Sequence, residues 1–188
     1  MLMTATTTAA ARAVADDPTV FEGYAALFER QDSGRDIILR GAFRDTLARR
    51  GASGVKLLYQ HDTTQPIGVW LSITEDAYGL KVRGRLMPEI ARAREILAMM
   101  RAGALDGLSI GFRAVQGRRD QRSGIRRLVA VDLWEISLVT FTMQPGARVT
   151  RVAAPGSADL RATQKSASNL SPQARLAHTI AEAARLFT

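Results

Sequence analysis

The chain has 188 residues, of which 46% are hydrophobic and 23% charged, and its 26 basic and 18 acidic side chains give a formal net charge of +8. This composition is typical of one globular domain with tails and excludes a disordered chain. There is no cysteine, and the only histidines are His61 and His178. Disulfide scaffolds, cysteine nucleophiles and metal centres built from several histidines are therefore excluded. The positive charge points to acidic or polyanionic neighbours without showing that nucleic acid is bound.

The chain begins with a segment that has no regular pattern. Residues 1–18 are mostly small and polar, so we expect a flexible N-terminal arm, with a removable propeptide as the alternative. The segment lacks the charged start and apolar centre of a secretory signal, and no window of the sequence approaches the ~20 apolar residues that a membrane-spanning helix needs. We therefore expect a protein of the reduced cytosol without a membrane anchor.

The next part of the chain alternates extended segments with one short helix. A strand begins near Thr19, a turn follows at residues 32–36, and Phe43 and Leu47 are spaced as on a helix that stops at Gly51. Three further strands are predicted in the segments VKLLYQH, PIGVWLSITED and AYGLKVRGRLM. Apolar and basic residues alternate in the last of these, which indicates a strand with one buried face.

The following part predicts one amphipathic helix and a large hairpin. The segment after Pro88 carries Ile90, Ile96 and other apolar residues at helical intervals and ends at Gly103. Beyond it, the segments LDGLSIGFRAV and RLVAVDLWEISLVTF predict strands on either side of the basic loop GRRDQRSGIRR. Strands outnumber helices, so we expect a β-rich domain.

The C-terminal part changes character twice. Residues 152–170 are rich in Ser, Ala, Pro and Gly, which is typical of a linker. Residues 171–188 place Leu176, Ile180 and Phe187 on one stripe, which predicts a helix that needs a partner surface. The predicted organisation is an arm at 1–18, a domain at 19–151, a linker at 152–170 and a C-terminal helix at 171–188.

Three polar residues lie in apolar surroundings and suggest a joint chemical role. His61 ends a buried strand, and Ser109 stands between two glycines that let another backbone approach closely, as an acyl-transfer nucleophile requires. Glu135 shares the face of its predicted strand with apolar side chains, so its carboxylate needs an imidazole or arginine partner. The three residue types are those of a Ser-His-acid triad.

Each of these residues also has a structural alternative. His61 could be a surface histidine, Ser109 an ordinary strand serine, and Glu135 one half of a structural ion pair with an arginine. The string GLSIG also matches the G-x-S-x-G elbow of α/β-hydrolases, but that motif needs a helix after the serine. The segment after Gly111 predicts a continuing strand instead, which argues against that fold.

Several segments together resemble the prohead (capsid maturation) proteases of tailed phages. The resemblance runs from Val20 to Arg151 and lies in FEGYAALFERQDSGRDIILRGAF, LLYQHD, PIGVW, LDGLSIGF and WEISLVTFTMQPGARV. It implies a mixed α/β, β-rich fold with an assemblin-like antiparallel β-barrel core and flanking helices. The turn at residues 143–146 departs from the proline-asparagine-proline-like turn of that family.

The resemblance also implies the residues of the site. It carries the catalytic pair of the family onto His61 and Ser109. The related herpesvirus assemblins use a second histidine as the third member, and this chain has none in that region, so Glu135 is the candidate for the third place. By the same resemblance, Arg148 is a candidate for holding a water that stabilises the oxyanion.

The implied function is that of a serine endopeptidase in procapsid maturation. Its expected substrates are the N-terminal scaffold region of the major capsid protein, a scaffold protein and the chain itself, and no metal or organic cofactor is needed. We expect self-association as a dimer, no membrane partner, no specific nucleic-acid ligand, and action inside the assembling procapsid in the bacterial host cytoplasm. The gene would belong to a phage, a prophage or a gene transfer agent, and the helix at 171–188 would bind scaffold or shell unless it packs on the domain.

A rival hypothesis from another class involves no catalysis. Five arginines in and beside the predicted hairpin loop form a cationic group suited to phosphates: Arg118, Arg119, Arg122, Arg126 and Arg127. This group would fit a basic scaffold or nucleic-acid-binding component of the capsid. Aromatic residues are not interleaved with these arginines, so stacking on bases has no support.

Overall fold

The computed structural model describes residues 17–154. The predicted N-terminal arm, linker and C-terminal helix lie outside this range except for residues 17–18 and 152–154, so these domain assignments stay predictions. Within the described range, no helix has the length and apolar character that crossing a bilayer would require.

The described chain forms eight strands and two short helices. The strands and helices, in chain order, are β1 Val20–Leu27, β2 Asp36–Ile38, α1 Arg44–Arg50, β3 Lys56–Tyr59, β4 Asp62–Glu75, β5 Gly79–Leu86, α2 Ala91–Arg101, β6 Gly107–Arg119, β7 Arg126–Val139 and β8 Val149–Val152. The β-rich fold class that the sequence predicts is therefore confirmed. Strand β8 is an addition, because the sequence pattern gave no strand between the hairpin and the predicted linker.

The strands form one sheet in which most neighbours are antiparallel. Pairing runs β6, β7, β3, β4, β5, β1, β8, with β2 also paired to β7. Strands β2 and β3 run parallel to β7, and they pair with opposite ends of it, at residues 126–128 and 135–138. The long strand β7 therefore pairs with β2 near its start and with β3 near its end.

The two ends of this path meet and curl the sheet upon itself. Gly107 at the start of β6 forms a bridge with Arg148, which precedes β8. The Leu108 N–H donates to the Ala147 carbonyl over 2.9 Å, and the Val149 N–H donates to the Asp106 carbonyl over 2.8 Å. These bonds place the start of β6 beside β8 and β1.

The core is a cluster of buried apolar side chains from most strands of the sheet and from helix α2. Phe21 of β1 and Trp70 of β4 meet edge to face with centroids 5.6 Å apart. Gly84 leaves room for both rings, since a Cβ there would lie 2.6 Å from the Phe21 ring. Helix α2 buries Ala93, Ile96, Leu97 and Met100, the stripe that the sequence predicts. Burying an Ile, Leu or Met side chain contributes roughly 1.5–3 kcal/mol.

Helix α1 fixes the middle of β7 through polar contacts. Its Thr46 is fully buried, and the Thr46 hydroxyl accepts the Leu133 N–H over 3.1 Å. The guanidinium groups of Arg49 and Arg50 donate to the Asp132 carboxylate over 3.0–3.2 Å. These contacts hold β7 in place at residues 132–133, just before Glu135.

Candidate active site

His61 stands on a two-residue turn between β3 and β4. Tyr59 pairs with Asp62, so Gln60 and His61 are the central residues, with φ of 54° and 60°. Turns of this type favour Asn and Gly because both central residues have positive φ. Non-glycine residues in this region cost about 1 kcal/mol or more each, so the turn is strained.

Strand β7 and the residue after it hold this strained turn. The Gln60 N–H donates to the Leu138 carbonyl over 3.0 Å, and the Gln60 side-chain amide donates to the Thr140 hydroxyl over 2.7 Å. The His61 N–H donates to the Ser137 hydroxyl over 3.0 Å. The backbone of Gln60 and His61 is thereby held against β7.

Ser109 lies on β6 within hydrogen-bonding distance of His61. Its Oγ is 2.9 Å from His61 Nε2, and the residue is only 5% exposed. Steric contacts explain why both of these positions of the GLSIG segment, 107 and 111, are glycines. A Cβ at Gly107 would overlap the Val139 carbonyl oxygen, and a Cβ at Gly111 would overlap the Glu135 carboxylate. Gly111 therefore makes room for the acidic residue of the site.

Glu135 lies on β7 and contacts the other ring nitrogen of His61. Its Oε1 is 2.7 Å from His61 Nδ1, and its Oε2 accepts the Ser137 hydroxyl over 2.7 Å. The Glu135 side chain is 13% exposed, whereas that of His61 is 43% exposed. The structure thus brings the three predicted site residues together in one chain of contacts from Ser109 through His61 to Glu135.

Ser137 is a site residue that sequence reasoning missed. It is fully buried, accepts the His61 N–H and donates to Glu135, so it links the turn to the carboxylate. The available signal was its position two residues after Glu135 on the same face of a strand.

The carboxylate sets the electrostatics of the imidazole. The hydrogen bond from His61 to Glu135, reinforced by the charge of Glu135, raises the pKa of His61, while partial burial acts in the opposite direction. In neutral His61, a proton on Nδ1 faces Glu135, so Nε2 presents its lone pair to the Ser109 hydroxyl. This arrangement can accept a proton from the serine.

The arginine partner considered for Glu135 belongs to another carboxylate. Asp132, three residues earlier on β7, binds Arg49 and Arg50, whereas the ion pair of Glu135 is with His61. The Trp134 indole also donates to Asp132 over 2.9 Å.

Arg148, the candidate for holding a water at the oxyanion, has partners other than Ser109. Its guanidinium pairs with Asp106 and donates to the Pro145 carbonyl over 2.9 Å. The neighbouring Gln144 is buried, and its side chain bonds the backbone N–H and carbonyl of Leu27. The turn that departs from the family pattern is thus tied to β1, and Arg148 holds it to the start of β6.

The basic hairpin is partly neutralised. Arg126 pairs with Asp36 over 2.5 Å and Arg127 with Glu29 over 3.8 Å.

Among residues 17–154, no group of three or more His, Asp or Glu side chains is arranged to hold a metal ion.

The sequence model of the family described as Caudovirus prohead serine protease matches residues 6–162. The chain belongs to this family. The family that the sequence resemblance predicts is therefore confirmed. The prohead protease of Enterobacteria phage HK97 is 44% identical over 94 residues, which are 50% of this chain and 41% of that protein. The alignment thus spans less than half of this relative.

The solved structure of one viral protease is similar in fold to this member of the prohead protease family, and a second aligns less well. The capsid assembly protease of bacteriophage T4 aligns with a TM-score of 0.52 and 16% identity over 64% of this chain and 80% of that one. A KSHV protease bound to a hexapeptide phosphonate inhibitor aligns with a TM-score of 0.48 and 11% identity over 69% of this chain and 63% of that one. The similarity to the T4 protease lies in the fold, that is, in the arrangement of the strands.

Proposed function

We propose that the chain is a serine endopeptidase of procapsid maturation in which Ser109 is the nucleophile, His61 the general base and Glu135 the orienting acid. The observation that carries this proposal is the unbroken series of contacts from Ser109 Oγ to His61 Nε2 at 2.9 Å and from His61 Nδ1 to Glu135 at 2.7 Å. Membership of the prohead serine protease family supports the same assignment.

The proposed reaction has two half-reactions, and in each of them one imidazole accepts a proton and then gives it up. His61 Nε2 takes the hydroxyl proton as Ser109 Oγ bonds to the scissile carbonyl carbon. The same nitrogen then gives that proton to the leaving amine, which breaks the peptide bond and leaves an acyl-serine. Water, deprotonated by His61, attacks the acyl group, and the proton returns to Ser109 as the acid product leaves.

Glu135 supports these steps without exchanging a proton. Its carboxylate holds the Nδ1 proton, which fixes the imidazole tautomer, and its charge stabilises the imidazolium that forms in each half-reaction. Ser137 fixes the second oxygen of Glu135 and the His61 backbone, so it is a positioning residue.

The edge of β6 that faces away from β7 presents the Ile110 N–H beside the nucleophile. The Leu108 N–H points to this edge and already donates to the Ala147 carbonyl, and alternation along a strand directs the Ile110 N–H to the same edge. We propose that an extended substrate backbone binds along this edge. Losing one donor to the developing oxyanion typically costs about 100- to 1,000-fold in rate, so such donors matter for the assignment.

The proposed substrates follow from the family. They are the N-terminal scaffold region of the major capsid protein, a separate scaffold protein, and the chain itself, cut inside the procapsid in the host cytoplasm. Self-association as a dimer stays a prediction.

The decisive experiment co-expresses the chain with its capsid protein and compares wild type with Ser109→Ala. We expect the variant to abolish processing of the capsid protein, because no other group takes the place of the nucleophile. Ser72→Ala, on the exposed face of β4, is the matched control and should process normally. Labelling of the wild type by a fluorophosphonate, mapped by mass spectrometry to Ser109, tests the nucleophile without a known substrate.

Unchanged processing by Ser109→Ala would refute the protease assignment. In that case, salt-sensitive binding of DNA that weakens when Arg118 and Arg119 are replaced would favour the non-catalytic rival.

A further inference from the structure

A cleft beside Ser109 differs in charge from the rest of the molecule. It has a volume of about 230 Å³, and Ser109 is among the residues that line it. The chain has 26 basic and 18 acidic residues. Yet Asp32 and Asp36 line the cleft, and none of the described residues that line it is basic. The cleft next to the proposed nucleophile is therefore a local acidic site on a basic protein.

The two carboxylates of the cleft are not equivalent. Both oxygens of Asp36 accept hydrogen bonds from the Arg126 guanidinium, over 2.8 and 2.5 Å, so its charge is neutralised. Asp32 is half-buried, and its Oδ1 accepts the backbone N–H of Asp36 over 2.8 Å. One negative charge therefore remains in this cluster, and it is centred on Asp32.

The surroundings of Asp32 favour the binding of a cationic group. Burial raises the pKa of Asp32, although the hydrogen bond from the Asp36 backbone acts against it. A positive group at this place would restore the stabilisation that the carboxylate loses with its water shell.

The remaining lining of the cleft suits an aliphatic stem. Ala25, Ile38, Leu108 and Phe112 contribute apolar surface along the cleft that also holds Asp32. A lysine or arginine side chain combines a methylene stem with a cationic head and matches both parts of this lining. An acidic side chain would face like charge and be rejected.

We propose that Asp32 is a specificity-determining residue that selects a lysine or arginine side chain next to the scissile bond of the substrate. This inference rests on the proposed function of Ser109. It goes further in naming the chemical class of the residue that enters the cleft.

The test compares peptides that differ at a single position. Cut sites are first identified by mass spectrometry in a mixed peptide library, and matched peptides then carry Lys, Arg, Gln, Met or Glu beside the scissile bond. We expect kcat/KM for Lys and Arg to exceed that for Gln and Met by about 10- to 100-fold, as for a hydrogen bond between charged groups. The preference should fall as ionic strength rises.

Two variants isolate the charge of Asp32. Asp32→Asn keeps an acceptor for the Asp36 N–H and removes the charge, so it should lose most of the preference while still cutting neutral peptides. Asp120→Asn is the matched control, because Asp120 likewise accepts backbone N–H groups in a turn, those of Arg122 and Ser123. It should keep the full preference.

The outcomes separate this inference from the proposed function. Equal kcat/KM for basic and neutral peptides, or an undiminished preference in Asp32→Asn, would overturn the role of Asp32 while cleavage and fluorophosphonate labelling of Ser109 keep the protease assignment. If the wild type neither cleaves nor becomes labelled, the proposed function fails. Binding of Lys and Met peptides to Ser109→Ala, with and without Asp32→Asn, then still decides whether Asp32 selects a cation.

Discussion

Strand β7 carries two carboxylates three residues apart that have different partners. Asp132 is 6% exposed and binds the permanently charged Arg49 and Arg50 together with the Trp134 indole. Glu135 binds His61, whose charge changes with pH. Guanidinium partners make a carboxylate part of the scaffold, because they do not titrate in the physiological range. In the proposed mechanism, the imidazole partner makes Glu135 part of a proton-transfer system. The same chemical group therefore serves structure or chemistry according to what lies opposite it.

The largest expected effect is on the rate when the second of these carboxylates loses its charge. Glu135→Gln keeps the shape of the side chain but no longer fixes the tautomer of His61 or stabilises its cation. We expect kcat to fall by about 10³- to 10⁴-fold, with a small change in the urea midpoint of unfolding. Peptide cleavage and urea denaturation on the same preparation measure both. A variant that keeps full activity and loses only stability would make Glu135 a structural residue like Asp132.

The second expected effect is on stability and concerns Asp132. Asp132→Asn weakens the contacts of α1 with β7, so we expect a lower urea midpoint at pH 7 and an unchanged kcat for the folded protein. The Trp134 hydrogen bond, followed by Arg50 and Arg49, lowers the pKa of Asp132. Its stabilising contribution is therefore present above the ordinary aspartate pKa and is lost as the pH falls through the lowered value. The difference between wild type and Asp132→Asn should shrink in acid, and a constant difference would contradict this.

The smallest expected effect is a displacement of the pH profile. The proposed mechanism requires neutral His61, so kcat/KM should rise with pH through the pKa of His61, which Glu135 raises above its ordinary value of 6.5. Glu135→Gln should move this acid limb to lower pH, and Asp132→Asn should leave it in place. The contact with Glu135 also stabilises the fold below the ordinary histidine pKa, and that contribution is lost as the pH rises through the raised value. A limb that is the same in wild type and Glu135→Gln would show that Glu135 does not act on His61.

Local pattern was sufficient for much of the fold. Alternation predicted β5, helical spacing predicted α2, and the paired glycines around Ser109 predicted the close approach of another backbone. The Val139 carbonyl makes that approach at Gly107, whereas the group that lies against Gly111 is the Glu135 side chain. Such features depend on a few neighbouring residues, which is why sequence reasoning reaches them.

Other features depend on contacts between distant parts of the chain. The turn at Gln60 and His61 has no Asn-Gly signal, and the hydrogen bonds that it donates to residues 137–140 hold it in its strained form. The short strand β8 exists because β1 pairs with it, and β3 runs parallel to β7 across a long separation in sequence. No local pattern encodes these pairings.

The sequence by itself determined the chemical inventory of the domain. It has no cysteine, and His61 is the only histidine before the predicted linker, so any general base of this type had to be that residue. It also placed Glu135 and Ser137 on one face of a strand. Only the tertiary structure decided which carboxylate of β7 meets the imidazole, because α1 packs beside Asp132 while the turn after β3 lies beside Glu135. The packing of whole helices and strands determines which residues more than 70 positions apart become partners. That packing gives two similar carboxylates different partners.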